Sequence, residues 1–198
     1  TQSRSSAASD VYKRQARDLA FVDATAHQGN DFQMSNEFWS NLDDLCEKFD
    51  IDHEFVAVPG YEWSGNTSLG GDRNVFFPTK GRKIRRSSHA LIADRSDCNT
   101  DCDTANDLFE AFAANNEFDV ICYAHCGGRY ADINFAHDAR FEKSVEIHSS
   151  WGTFEWLLED AFKLGYRVGI VANSDGHKGR PGASYPGAGY FGAIGGLT

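Results

Sequence analysis

A chain of 198 residues, 41% hydrophobic, is long enough for one domain with its own core, and 29 acidic against 19 basic residues give it a formal charge of −10. That balance repels nucleic-acid phosphates and anionic membrane surfaces and excludes both as partners. No apolar run approaches the roughly 20 residues needed to span a bilayer, so the sequence predicts a soluble protein. Five cysteines, an odd number, do not make a complete disulfide framework, which favours a reduced, cytoplasmic setting.

Residues 1–15 carry no apolar periodicity, and Asp10-Val11-Tyr12-Lys13-Arg14-Gln15 resembles the translation of a transposon end used in preparing sequencing libraries. We set 1–15 aside as an artefactual segment and take 16–198 as the domain, a fragment lacking its natural ends. Arg4, Lys13, Arg14 and Asp10 leave with that segment, so the remainder is more acidic still.

Leu19 to Thr25 is a short apolar run followed by Ala26-His27-Gln28, a strand with His27 at its mouth. Ser35 stands as N-cap before Phe38, Leu42, Leu45, Cys46 and Phe49, whose spacing predicts a helix from Asn36 to Phe49. Phe55 to Val58 reads as the second strand, stopped by Pro59-Gly60, with Tyr61-Glu62-Trp63 beyond it. From Ser64 to Arg86, Gly-rich turns surround one short strand, Asn74 to Phe77. Lys80, Arg82, Lys83, Arg85 and Arg86 form a basic cluster there, either a solvated loop or an attractor for an anionic substrate. Asp97 to Asp103 imitates the first half of a calcium loop, but it lacks the Gly and Glu that complete one and reads as a polar lead-in to a helix.

Thr104 caps that helix with Asp107 reaching back, and Ala105, Leu108, Phe109, Phe112 and Ala113 form its apolar stripe. Asp119 to Ala124 is the next strand, with His125 at its end and Gly127-Gly128 giving room for a close approach. Ser144 to Ile147 is another, followed by His148. Thr153 caps a helix striped by Phe154, Leu157, Leu158, Ala161 and Phe162 and closed by Gly165. The last strand, Val168 to Ala172, runs into Asp175-Gly176-His177. His53 and His137 read as surface histidines. The pairs Cys98-x3-Cys102 and Cys122-x3-Cys126 have a spacing that structural zinc sites use less often than two, and Cys122 falls inside a strand.

Five predicted strands are thus each followed by a ligand-type residue: His27, Glu62, His125, His148, or Asp175 with His177. Alternation of strand and helix predicts a parallel α/β architecture with its site on one rim. Carboxylates and neutral imidazoles gathered there suit Zn, Mn or Fe.

The order of His27, Pro59-Gly-Tyr-Glu62, Tyr123-Ala-His125 and Ser174-Asp-Gly-His177 resembles the polymerase and histidinol phosphatase superfamily. Within it, Pro59-Gly-Tyr-Glu-Trp-Ser-Gly-Asn66, Gly71-Asp-Arg-Asn-Val75 and the stretch from Val145 to Gly152 resemble the uncharacterised family catalogued as domain of unknown function 3604. The resemblance implies a distorted β/α barrel, here incomplete at the amino end, with a di- or trinuclear metal site and hydrolysis of phosphate esters. By that resemblance His27, Glu62, His125, Asp175 and His177 hold the ions, and Glu62, Asp175 and His177 are the catalytic candidates. His148 joins the ligand candidates by its strand-end position.

The chain also departs from the superfamily. Nothing upstream of His27 supplies the His-x-His pair that opens the first strand, and Thr25-Ala26-His27 stands where Thr-Asp-His is usual. A further His expected between Glu62 and His125 is replaced by Arg73, or its role passes to His89. Arg73, His89, Lys178 and Arg180 are the substrate-binding candidates. The expected function is a metal-dependent hydrolase acting on a small anionic substrate. The alternative is a metal-binding module without catalysis, which the acidic group missing at Ala26 fits.

Overall fold

In the computed structural model, which describes residues 9–177 and Pro181, Ser35 sits in extended backbone and its Oγ accepts the Phe38 N–H. Helix α1 therefore runs over Asn36–Phe49, as its capping and spacing predict. Trp39, Leu42, Cys46 and Phe49 turn inward, while Phe38 and Leu45 are half-buried. Helix α2, Ala105–Ala114, has the full capping box: the Asp107 N–H reaches Thr104 Oγ1 at 3.2 Å and the Thr104 N–H reaches Asp107 at 2.8 Å. Helix α3, Glu155–Lys163, starts one residue later than expected, with Phe154 at the N-cap. Thr153 is drawn instead into a hairpin, where its Oγ1 lies 2.9 Å from His148 Nδ1.

Strands β1 (Ala24–Ala26) and β2 (Val56–Val58) pair in parallel. A six-stranded sheet holds β3 (Gly60–Trp63), β4 (Arg73–Phe76), β5 (Ile121–Ala124), β6 (Glu142–Ser149), β7 (Gly152–Thr153) and β8 (Gly169–Ala172). Its order is β3-β4-β5-β6, with β7 and β8 both on β6; β5, β6 and β8 run parallel, and β3, β4 and β5 alternate.

The mainly parallel sheet expected from the sequence is therefore a mixed one, and the reason is β3. Pro59-Gly60 does not end a strand there; it opens one whose four residues are all buried. The connection from Ser64 to Asp72 contains only a short helical turn, and strands joined without a crossover helix pair antiparallel. The described strands close no barrel, and β1 has β2 as its one partner among them.

The largest core cluster joins α1 and α2 to β3, β4 and β5 through Trp39, Leu42, Tyr61, Trp63, Phe77 and Phe112. A second puts Leu157 and Ala161 of α3 against Ala124, Val145 and Ile133. The third gathers Ala16, Cys46, Phe49, Phe55 and Ala57. Residues 9–14, helical here, lie beside it: Lys13 Nζ is 3.3 Å from Cys46 Sγ, and the Tyr12 ring stacks on His27.

Four members of the basic cluster stand in ion pairs, and Lys83 is exposed. Lys80 pairs with Glu47, Arg82 with Asp119, Arg85 with Glu117, and Arg86 with Asp97. Arg85 and Arg86 are buried, so their pairs tie the 80–86 segment to Glu117 and Asp97 on either side of α2.

Candidate metal centre

Glu62 lies in the middle of β3, where its neighbours Tyr61 and Trp63 enter the core. The antiparallel partner β4 begins at Arg73, which leaves Asp72 just outside the ladder. There the Asp72 carbonyl accepts the His125 N–H at 3.1 Å, and its own N–H donates to the Arg129 carbonyl at 2.9 Å. Backbone pairing thus places Asp72 beside the end of β5, where His125 emerges. Glu62, Asp72 and His125 each offer a ligand atom, and the three atoms lie within 4.8 Å of one another.

Two glycines make that approach feasible. Gly71 has φ +75°, and a Cβ on it would stand 2.1 Å from the Tyr130 carbonyl oxygen. A Cβ on Gly127 would stand 2.4 Å from His125 Nε2, on the side of the ring that must stay open.

The imidazole is held from behind. His125 Nδ1 bonds Glu146, whose Oε2 also accepts the Cys126 N–H at 3.0 Å, and Asn173 donates to Oε1 at 3.0 Å. The same Asn173 nitrogen is 2.7 Å from Tyr123 Oη. With Nδ1 engaged, Nε2 is the nitrogen left to face the carboxylates, and Asp175 Oδ2 is 3.8 Å from it. A carboxylate behind the ring is the usual support for a histidine that binds metal.

The electrostatics follow from burial and crowding. Burial and the neighbouring Glu62 charge push Asp72 up to about 8, against the pull of Arg129 and His125. Burial drags His125 down, but Glu146, with the Glu62 and Asp175 charges, outweighs it and holds the imidazole up at about 9. Burial also raises Asp175, partly offset by His125 and His177. Each shift marks negative charge packed where water cannot screen it, a condition that an added cation relieves.

Of the residues expected here, Glu62 and His125 converge and Asp175 stands next to them, at φ +45°. His177 turns its Nδ1 to the Asp175 carbonyl at 2.6 Å and towards Ser150 Oγ at 3.4 Å. His27 is not brought in: its ring packs between Tyr12 and Phe38, and burial, helped by Lys13, lowers it to about 4. His148 points to Thr153 at the hairpin.

Arg73 is fully buried, paired with Glu142, and donates to the Ala136 carbonyl at 2.9 Å. His89 is buried between Asp101 and Asp97, at 2.6 and 3.0 Å. Neither lies with the Glu62 group. Lys178 and Arg180 fall outside the described residues. His137 is no surface residue: its Nδ1 meets Glu142 at 2.7 Å and its ring stacks on Tyr166.

Asp72, Glu146 and Arg129 were not singled out by the sequence. Glu146 does leave a signal, because a carboxylate between Val145 and Ile147 in a strand core needs a partner. Asp72 leaves a weaker one, an acid directly after Gly70-Gly71 at the start of a strand. Comparison with protein-family models, with curated proteins and with solved structures gives no match to this chain.

Proposed function

We propose that the chain is a metal-dependent hydrolase of the phosphoesterase type, related to the polymerase and histidinol phosphatase superfamily, with its mixed sheet forming part of a distorted β/α barrel. The observation that carries this reading is the convergence of Glu62, Asp72 and His125, with Asp175 beside them and Glu146 fixing the imidazole. Two carboxyl groups and one imidazole nitrogen, which would give up their protons to a cation, are a donor set that fits Zn, Mn or Fe. When bound, such an ion supplies Lewis acidity towards water and phosphoryl oxygens.

The chain's own residues do the rest. Glu62, Asp72 and His125 would hold the cation, and Asp175 can accept a proton at Oδ2, where Ser150 Oγ already donates at 3.0 Å. His177 borders solvent and can pass that proton outward. The cytoplasm remains the proposed setting; among the described residues no helix is long and apolar enough to cross a membrane.

The test is elemental analysis of metal per chain after loading with Mn or Zn, together with turnover of p-nitrophenyl phosphate and bis(p-nitrophenyl) phosphate. Stoichiometric metal with turnover that chelation abolishes is the expected result. Metal without turnover of any ester would leave a binding module, and no metal would end the proposal.

A further inference from the structure

Arg73 and His89 are committed elsewhere, yet a substrate anion approaching Glu62, Asp72 and Asp175 needs a cation, and among the described residues there is one beside them. Arg129 stands at that place. Its Nε is 3.0 Å from Asp72 Oδ1, its Nη2 is 3.7 Å from Glu62 Oε1, and its guanidinium lies 5.5 Å from the centre of the Phe32 ring. The side chain is 36% exposed, so the head sits at the rim with one side to the carboxylates and the other to water. Nη1 makes no hydrogen bond to any described residue.

We infer that Arg129 is the residue that binds the substrate's anionic group, and that it shares Glu62 and Asp72 with the cation in competition. The inference rests on the metal-dependent reading proposed above. A guanidinium and a divalent ion cannot both hold the same two carboxylates, since each gains from the same negative charge and repels the other. Asp72 and Glu62 would hold a divalent ion in preference, since it carries twice the charge of the guanidinium. Arg129 is then left at the rim with a planar fork whose spacing matches two oxygens of a phosphate. Its backbone stays fixed, because its carbonyl holds the Asp72 N–H, so only the side chain must swing. A phosphate ester, with at least two unesterified or bridging oxygens in reach of one fork, fits this arrangement. A neutral carboxylic ester does not.

Arg129→Gln and Arg129→Lys separate the two roles. Mn²⁺ affinity by titration calorimetry should rise about tenfold in Arg129→Gln, where the competing charge is gone, and stay near wild type in Arg129→Lys. Affinity of the Mn-loaded protein for inorganic phosphate should fall about tenfold or more in Arg129→Gln and by less in Arg129→Lys, because a lysine is a point charge without the fork. The KM for p-nitrophenyl phosphate should rise in step. Thermal melting of both variants confirms that they fold.

Unchanged phosphate affinity in Arg129→Gln overturns the assignment while leaving the metal reading intact, and so does a Mn²⁺ affinity that falls. Wild-type protein that binds no Mn²⁺ overturns the metal reading and this assignment with it.

Discussion

Glu146 accepts the Nδ1–H of His125 with its whole carboxyl group sealed from solvent, and it meets two further donors, Cys126 N–H and Asn173 Nδ2. Three donors converge on two oxygens, a demand that an amide side chain cannot meet. Glu146→Gln puts an NH2 group against one of them and releases the ring. Affinity for Mn or Zn, read by calorimetry, should fall on the order of 10- to 100-fold, as for other carboxylates behind metal-binding histidines. An affinity equal to wild type would show that His125 does not bind through Nε2.

Arg73 gives the opposite expectation. Its guanidinium and the Glu142 carboxylate are both fully buried, and His137 takes the other Glu142 oxygen. Removing one member of a buried pair strands the other charge, so Arg73→Ala should lose about 3–5 kcal/mol in urea unfolding. Below its lowered melting point the variant should keep the wild-type KM for a phosphate ester. A raised KM in well-folded protein would return Arg73 to the substrate.

Asp31 supplies a pH dependence. It has no solvent exposure; burial raises it from its ordinary 3.8 to about 6, against the N–H groups of Ser87 and Ser64 that it accepts. An acid whose folded pKa is raised binds its proton more tightly in the folded state. Its contribution is thus present in full below 3.8 and lost as pH rises through about 6, a total of about 3 kcal/mol. Unfolding wild type and Asp31→Asn at pH 4 and pH 7 isolates the effect. The variant should gain on wild type by most of that amount between the two pH values, and a constant difference would contradict it.

Thr104 tests the helix cap. Its Oγ1 and the Asp107 carboxylate satisfy each other's backbone N–H groups at the start of α2. Thr104→Ala should cost about 1 kcal/mol in the same unfolding measurement, with metal affinity unmoved.

The helices were legible in the sequence because their signals are local. Ser35, the Thr104 to Asp107 box and the positions of Leu42, Phe109 and Leu157 announce caps and stripes within a few residues of each other. What was not legible depends on pairing between distant segments. Strand β3 hides behind Pro59-Gly60 because its role appears only when Phe76 and Gly60 come into register. Asp72 becomes part of the centre through a bond to the His125 backbone, and Arg129 through its return bond to Asp72. The strand-end rule named Glu62, His125 and Asp175, which the fold brings together, and also His27 and His148, which it does not, since a residue's place along a strand does not say which way its side chain points.

The zero clearance at Gly71 bears on how such a sequence can change over generations. With the Tyr130 carbonyl already at the position a side chain would need, position 71 is closed to every residue but glycine unless the 127–131 loop is rebuilt in the same step. The inner wall and the rim are therefore inherited as one block. Gly128 and Tyr130, both exposed, are where lineages can diverge one substitution at a time. New specificities in descendants of this chain should accumulate at those positions, around an unchanging 70–72.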